Sequence, residues 1–101
     1  MKAAKYIIVD PLDSVNPKQT IKHNSDGVRY LEVIDLYNPD ISFKKREYGA
    51  YLIELANSKK IDTLLVNSIG DLGLSGNDII ETIEIFSELG VNIKAKKENF
   101  E

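Results

Sequence analysis

Aspartate is the residue type with most chemistry to offer in this sequence. Asp10 and Asp13 follow the apolar run Ala4 to Val9, and Asp71 lies in a glycine-containing stretch from Asn67 to Gly76. Three carboxylates converging above a sheet would bind a divalent cation. An aspartate placed directly after a buried first strand is also where aspartyl-phosphate enzymes keep a nucleophile. The competing reading makes all three loop and turn residues, with Asp13 or Ser14 capping a helix. That reading is favoured, because the lysine and phosphate-binding loop that such chemistry needs are not identifiable. His23 is the only histidine and sits in the polar run Lys22-His23-Asn24-Ser25, which makes it a surface residue rather than a general base. Arg46 begins a helix, either as a solvated first-turn residue or as a cation aimed at a cleft. There is no cysteine, which removes thiol catalysis, disulfides and cysteine zinc sites together. No cofactor motif is found and no metal site is assigned.

These residues need elements to position them. Ala4 to Val9 is a short continuous apolar run, the pattern of a strand buried on both faces. Leu12 to Gly27 is polar, with Pro17 near a helix start and Gly27 past its end, and is assigned a first helix. Tyr30 to Tyr37 alternates and is rich in β-formers, a second strand. Asn38-Pro39-Asp40 is a turn signal. Tyr48, Tyr51, Leu52, Leu55 and Ala56 then fall on one helical stripe, with the two tyrosines read as core or interface residues. Ile61 to Val66 is a third strand, and Ser75 with Asp78 resembles a capping box with aspartate in place of glutamate. Ile79, Ile80, Ile83, Phe86 and Leu89 give the last helix its apolar face, Gly90 ends it, and Val91 to Ala95 is a fourth strand. Strand and helix alternate throughout. The expected architecture is therefore an α/β, three-layer domain with a mainly parallel sheet of four or more strands. Sites in such sheets form where strand carboxyl ends open into loops. Here those loops are Asp10 to Gln19 and Asn67 to Gly76.

The 101 residues allow one domain, spanning 1–101, with one core. Hydrophobic residues at 43% and charged residues at 29% are ordinary for a soluble globular protein. No apolar run approaches a membrane span, and Met1 to Tyr6 has no signal-peptide pattern, so a cytoplasmic location is expected. Net charge is −3, and the basic residues are scattered in clusters such as Lys44-Lys45-Arg46, Lys59-Lys60 and Lys94-Lys96-Lys97. That balance argues against strong autonomous DNA binding, which draws its affinity from neutralised phosphates.

The two loops and their separation resemble the catalytic domain of the serine recombinases (resolvases and invertases), over the stretch from Lys2 to Lys97. Tyr6-Ile7-Ile8-Val9-Asp10 looks like that family's opening motif, tyrosine-x-arginine-valine-serine. Asn67-Ser68-Ile69-Gly70-Asp71-Leu72-Gly73-Leu74-Ser75 falls where the family has lysine-leucine-aspartate-arginine-leucine-glycine-arginine-serine. Glu88-Leu89-Gly90-Val91 matches the end of the next helix. The resemblance implies a flavodoxin-like or resolvase-like sheet with the first strand central. It also implies metal-free phosphoryl transfer, in which a serine attacks DNA and arginines hold the phosphate.

At the positions that carry this chemistry the sequence departs. The nucleophile position is Asp10 and the adjacent arginine position is Ile8; the loop aspartate is Gly70, the loop arginines Asp71 and Leu74. Gln19, matching a glutamine on the first helix, and Arg46, matching the arginine that opens the second, are retained. At 5 Å and an effective dielectric near 20, each misplaced negative charge beside a phosphate costs about 3 kcal/mol. Each missing donor to the transition state costs roughly 2.7–4 kcal/mol. The expectation is a catalytically inactive relative, regulatory or a remnant, that pairs with itself or with an active recombinase. An enzyme with repurposed aspartates is the alternative, and an active recombinase the least favoured reading. The chain also ends before the family's long dimerisation helix and helix-turn-helix domain would begin. Without that helix, Ile79, Ile85 or Phe86 would be left uncovered, for a second copy to bury; the competing reading packs Ile79, Ile83 and Phe86 on the sheet and leaves only Ile85 outside.

Overall fold

A computed structural model describes residues 2–97. The chain runs through β1 (Ala3–Val9), β2 (Lys18–His23), β3 (Arg29–Leu36), α1 (Glu47–Asn57), β4 (Thr63–Val66), α2 (Gly76–Glu88) and β5 (Asn92–Ala95). Short 3-10 turns at Pro11–Asp13, Phe43–Lys45 and Ile69–Leu72 join them. All five strands form one sheet of order β2-β3-β1-β4-β5, so β1 is central, as expected. Every pairing is parallel except β2 with β3.

The expected first helix is absent. Residues 18–23 form the edge strand β2, with Lys18 opposite Ile34 and His23 opposite Arg29. The turn explains why. The Asn24 Oδ1 accepts from the backbone of Asp26 at 2.9 Å and of Val28 at 3.0 Å, and Gly27 takes φ 79°. Asn24 to Gly27 form a hairpin turn, closed by Gly27 N–H donating to Asn24 O at 3.0 Å, where glycine supplies the positive φ that returns the chain to the strand, and not the end of a helix.

This one substitution changes the layering. Connections from β3 to β4 and from β4 to β5 advance across the sheet in the same direction. Right-handed crossovers therefore bring α1 and α2 to the same face. The β1-to-β3 connection runs the other way, and a helix there would have covered the opposite face. A hairpin takes its place, so the described chain is a two-layer α/β sandwich and not the three-layer one expected. Burial follows this division. Ala4, Tyr6, Leu31, Val33, Leu64, Val66, Ile93 and Ala95 are buried toward the helices. Their alternates Lys5, Ile7, Ile34 and Leu65 stay half-exposed, so β1 is not buried on both sides.

The helices meet the sheet through Leu52 and Ala56 of α1, Phe86 of α2, and Phe43 from the turn preceding α1. The rings of Tyr6, Phe43 and Phe86 stack edge to face, at 5.3 Å and then 5.8 Å. Such pairs add roughly 0.5–1.5 kcal/mol each beyond their area burial. Tyr48 and Tyr51 are half-buried against this core. On α2, Phe86 is buried and Ile79, Ile83 and Ile85 are half-buried; the apolar residue left outside is Ile80, at 56% exposure. Gly90, at φ 78°, closes α2 in a Schellman turn, with Gly90 N–H donating to Ser87 O and Val91 N–H to Phe86 O. No helix among the described residues is long and apolar enough to cross a membrane.

Backbone closeness fixes Gly49. A Cβ there would sit on the carbonyl oxygen of Phe43, closer than real atoms approach, because α1 lies directly on its own preceding turn. Gly76, in the first turn of α2, has nothing within 4 Å of such a Cβ. Gly49→Ala is expected to lower unfolding free energy by about 2–3 kcal/mol through overpacking. Gly76→Ala should be neutral or stabilising by up to about 1 kcal/mol. Urea denaturation of both variants checks the pair; equal midpoints would refute the account.

Candidate functional site

At the carboxyl ends of β1, β3 and β4 a buried polar chain runs between elements. Tyr6 projects from β1 toward the helices and its hydroxyl donates to Asp35 Oδ2 of β3 at 2.7 Å. The Tyr6 hydroxyl oxygen also accepts from Arg46 Nη1 at 3.3 Å. Arg46 Nη1 also donates to the carbonyl of Asp71 at 3.0 Å, and its Nε to the carbonyl of Ile41 at 3.2 Å. The guanidinium lies 5.8 Å from the Phe43 ring centroid, and the residue is only 7% exposed. Burial, and then the bond to Asp35, push the Tyr6 hydroxyl well above its ordinary pKa of 10.0, more than Arg46 draws it down.

Arg46 is at the N-cap of α1, the wrong end of a helix for a cation, and makes no capping bond there. Glu47 in the first turn partly offsets this. Tertiary bonds, not helix electrostatics, therefore hold Arg46 in place. Its edge reaches two clefts. One, of about 310 Å³, includes Ile8, Gly70, Asp71 and Leu74 in its lining; the other, of about 330 Å³, includes Pro11, Asp35 and Tyr37.

The loop after β4 is fixed by three devices. Ser68 Oγ accepts from the Gly70 N–H at 3.2 Å and Leu72 is fully buried. At Gly73 a Cβ would stand 2.7 Å from the Ile79 nitrogen and 2.8 Å from Asp78 Oδ2, so the loop passes too near α2 for any side chain. Asp78 is the residue that sequence reasoning undervalued. Ser75 Oγ accepts from its N–H at 3.3 Å, as a capping box requires. Its carboxylate does not return to Ser75. Oδ2 instead accepts from Leu74 N–H at 2.9 Å and from Phe43 N–H at 3.1 Å, tying α2 to the loop and to the turn before α1. The shorter aspartate side chain in the place of glutamate was the available clue.

The residues singled out from sequence thus separate into two groups. Ile8, Gly70, Asp71, Leu74 and Arg46 gather around one cleft. Gln19 does not: it is exposed on the edge strand opposite Val33 and lines neither cleft at Arg46. Asp10 is exposed and caps the turn Pro11–Asp13, its Oδ1 accepting from Leu12 N–H at 2.9 Å. Asp10, Asp13 and Asp71 do not form a metal-binding group; the described residues contain no cluster of three or more acidic, histidine or cysteine side chains placed for one. His23 is exposed on β2. Chemically, the cleft presents a cation whose Nε and Nη1 are engaged by a hydroxyl and two carbonyls.

The raised pKa of Tyr6 makes a stability prediction. Its neutral form is favoured by folding, so its contribution is complete below pH 10 and is lost as pH rises through the folded value. Tyr6→Phe should cost about 1–2 kcal/mol at pH 7 by leaving Asp35 and Arg46 short of a partner. Above pH 10 the gap to the wild type should narrow. Denaturation curves at pH 7 to 11.5 test this, and a gap that stays constant or widens contradicts it.

No protein-family model matches the chain, and no curated protein matches it.

Proposed function

We propose that this chain is a catalytically inactive serine-recombinase-like domain, a regulatory or remnant form associated with DNA recombination. The observation that carries the reading is the engagement of Arg46. It is the one retained arginine of the resembled active site, and its Nε and Nη1 donate to Tyr6, Ile41 and Asp71 within the fold. The central placement of β1 and the gathering of the degenerate positions at one cleft agree with the resemblance. At the nucleophile position, the Asp10 carboxylate serves as a turn cap. Phosphoryl transfer relies on positioned cations, and the cleft offers Asp71 and Leu74 where arginines would stand. Partnership with an active recombinase, or with a second copy, is part of the same proposal.

Supercoiled plasmid incubated with the protein should remain supercoiled, with no covalent protein–DNA species on denaturing gels. A nicked product or covalent band that disappears in Asp10→Ala would overturn the proposal.

A further inference from the structure

The sheet face away from the helices carries a groove separate from the cleft at Arg46. It has a volume of about 500 Å³, within the usual range for a small-molecule site. Its floor is built from Ala3 of β1 and Leu65 of β4, and one wall from the β2–β3 hairpin through Asn24, Val28 and Tyr30. The hairpin that replaces the expected helix thus both uncovers this face and shapes a concavity on it.

The charge of the groove is one-sided. Lys5, Arg29, Lys94 and Lys96 all line it, and among the described residues no carboxylate does. The chain as a whole is acidic, at −3, so four cations gathered in one groove run against its overall balance. None of the four is in an ion pair among the described residues. The nearest acidic neighbour by register, Glu32 beside Lys5, is paired with Lys22 at 3.4 Å. Like charges held together without counterions repel, and an anion relieves that repulsion. Tyr30 and Leu65 offer an apolar surface between the cations.

We propose that this groove binds a small organic anion with a flat apolar body, the chemistry shared by a nucleoside monophosphate and an aryl sulfonate. The apolar part lies on the Leu65 and Tyr30 surface and the anionic group lies toward Lys94 and Lys96. This site is independent of the recombinase reading and stands or falls without it.

The test is NMR titration of the full chain with AMP and with 1-naphthalenesulfonate, using adenosine and inorganic phosphate as half-ligands. The expected result is saturable shifts at Ala3, Tyr30, Leu65 and Lys94 with one or both complete ligands. AMP alone would identify a nucleotide site; the sulfonate alone would identify an aryl-acid site. Each half-ligand should bind at least about ten-fold more weakly, and added salt should weaken binding. Lys94→Glu/Lys96→Glu changes two exposed positions and leaves the core intact, so a folded spectrum is expected with affinity reduced about ten-fold or more. Lys5→Gln provides a second, milder variant. The proposal is overturned if neither complete ligand saturates, if adenosine or phosphate alone binds as tightly, if shifts centre on Arg46, or if the charge-reversed protein binds unchanged.

Discussion

A guanidinium removed from water has to be repaid in hydrogen bonds, and much of this fold is arranged around doing so for Arg46. Leaving such a charge without partners costs several kcal/mol. Here the Tyr6 hydroxyl, the Ile41 carbonyl and the Asp71 carbonyl supply acceptors, drawn from β1, the segment before α1 and the loop after β4. The Tyr6 hydroxyl in turn donates a hydrogen bond to Asp35 on β3. The positive and negative groups are thereby connected through a neutral hydroxyl without direct contact. Displacing any one of these segments strands a buried polar group, which makes their mutual positions interdependent.

That arrangement bears directly on chemistry. With Nε and Nη1 held by these bonds, Arg46 keeps little of its donor fork for a phosphate, and the loop beside it is held by Leu72, by the close approach at Gly73 and by the Asp78 carboxylate. Asp78 and Arg46 work as a pair of clasps. One fixes the loop to α2, the other fixes it to β1. A cleft lined in this manner is suited to maintaining a shape more than to following charge as it develops on a reacting phosphate.

How much of this was legible depended on whether a signal was local. The apolar runs of β1, β3, β4 and β5 and the stripes of α1 and α2 came from periodicity. The Gly90 stop came from glycine's tolerance of positive φ, and the Ser75 cap from its hydroxyl. The first helix was misassigned because Pro17 and Gly27 fit helix boundaries as well as they fit strand punctuation. Asp26-Gly27 beside Thr20-Ile21 was the hairpin signal that should have prevailed. The gathering of Ile8, Gly70, Asp71 and Leu74 at one cleft followed from topology once β1 was central. The contacts of Arg46 had no sequence signature and those of Asp78 only the short aspartate in the capping box, since both depend on long-range approach: Asp78 meets a backbone N–H 35 residues away.

The open face was also written into β1, in a form easily read past. Strands in a sheet covered on both sides carry near-continuous apolar side chains. Lys5 interrupts that run, and its register partners on the same face are Glu32 and Leu65, with Lys94 beyond. A lysine at the centre of a doubly covered sheet would lie under a helix with its charge unsolvated, at a cost far above what packing its methylene stem returns. Its presence therefore requires that face to meet water or a ligand. The missing helix and the central lysine are two expressions of one constraint, and the charge excess of the groove follows from it: once the face is wet, cations there are inexpensive, and with Glu32 taken up by Lys22 they remain available to an anion.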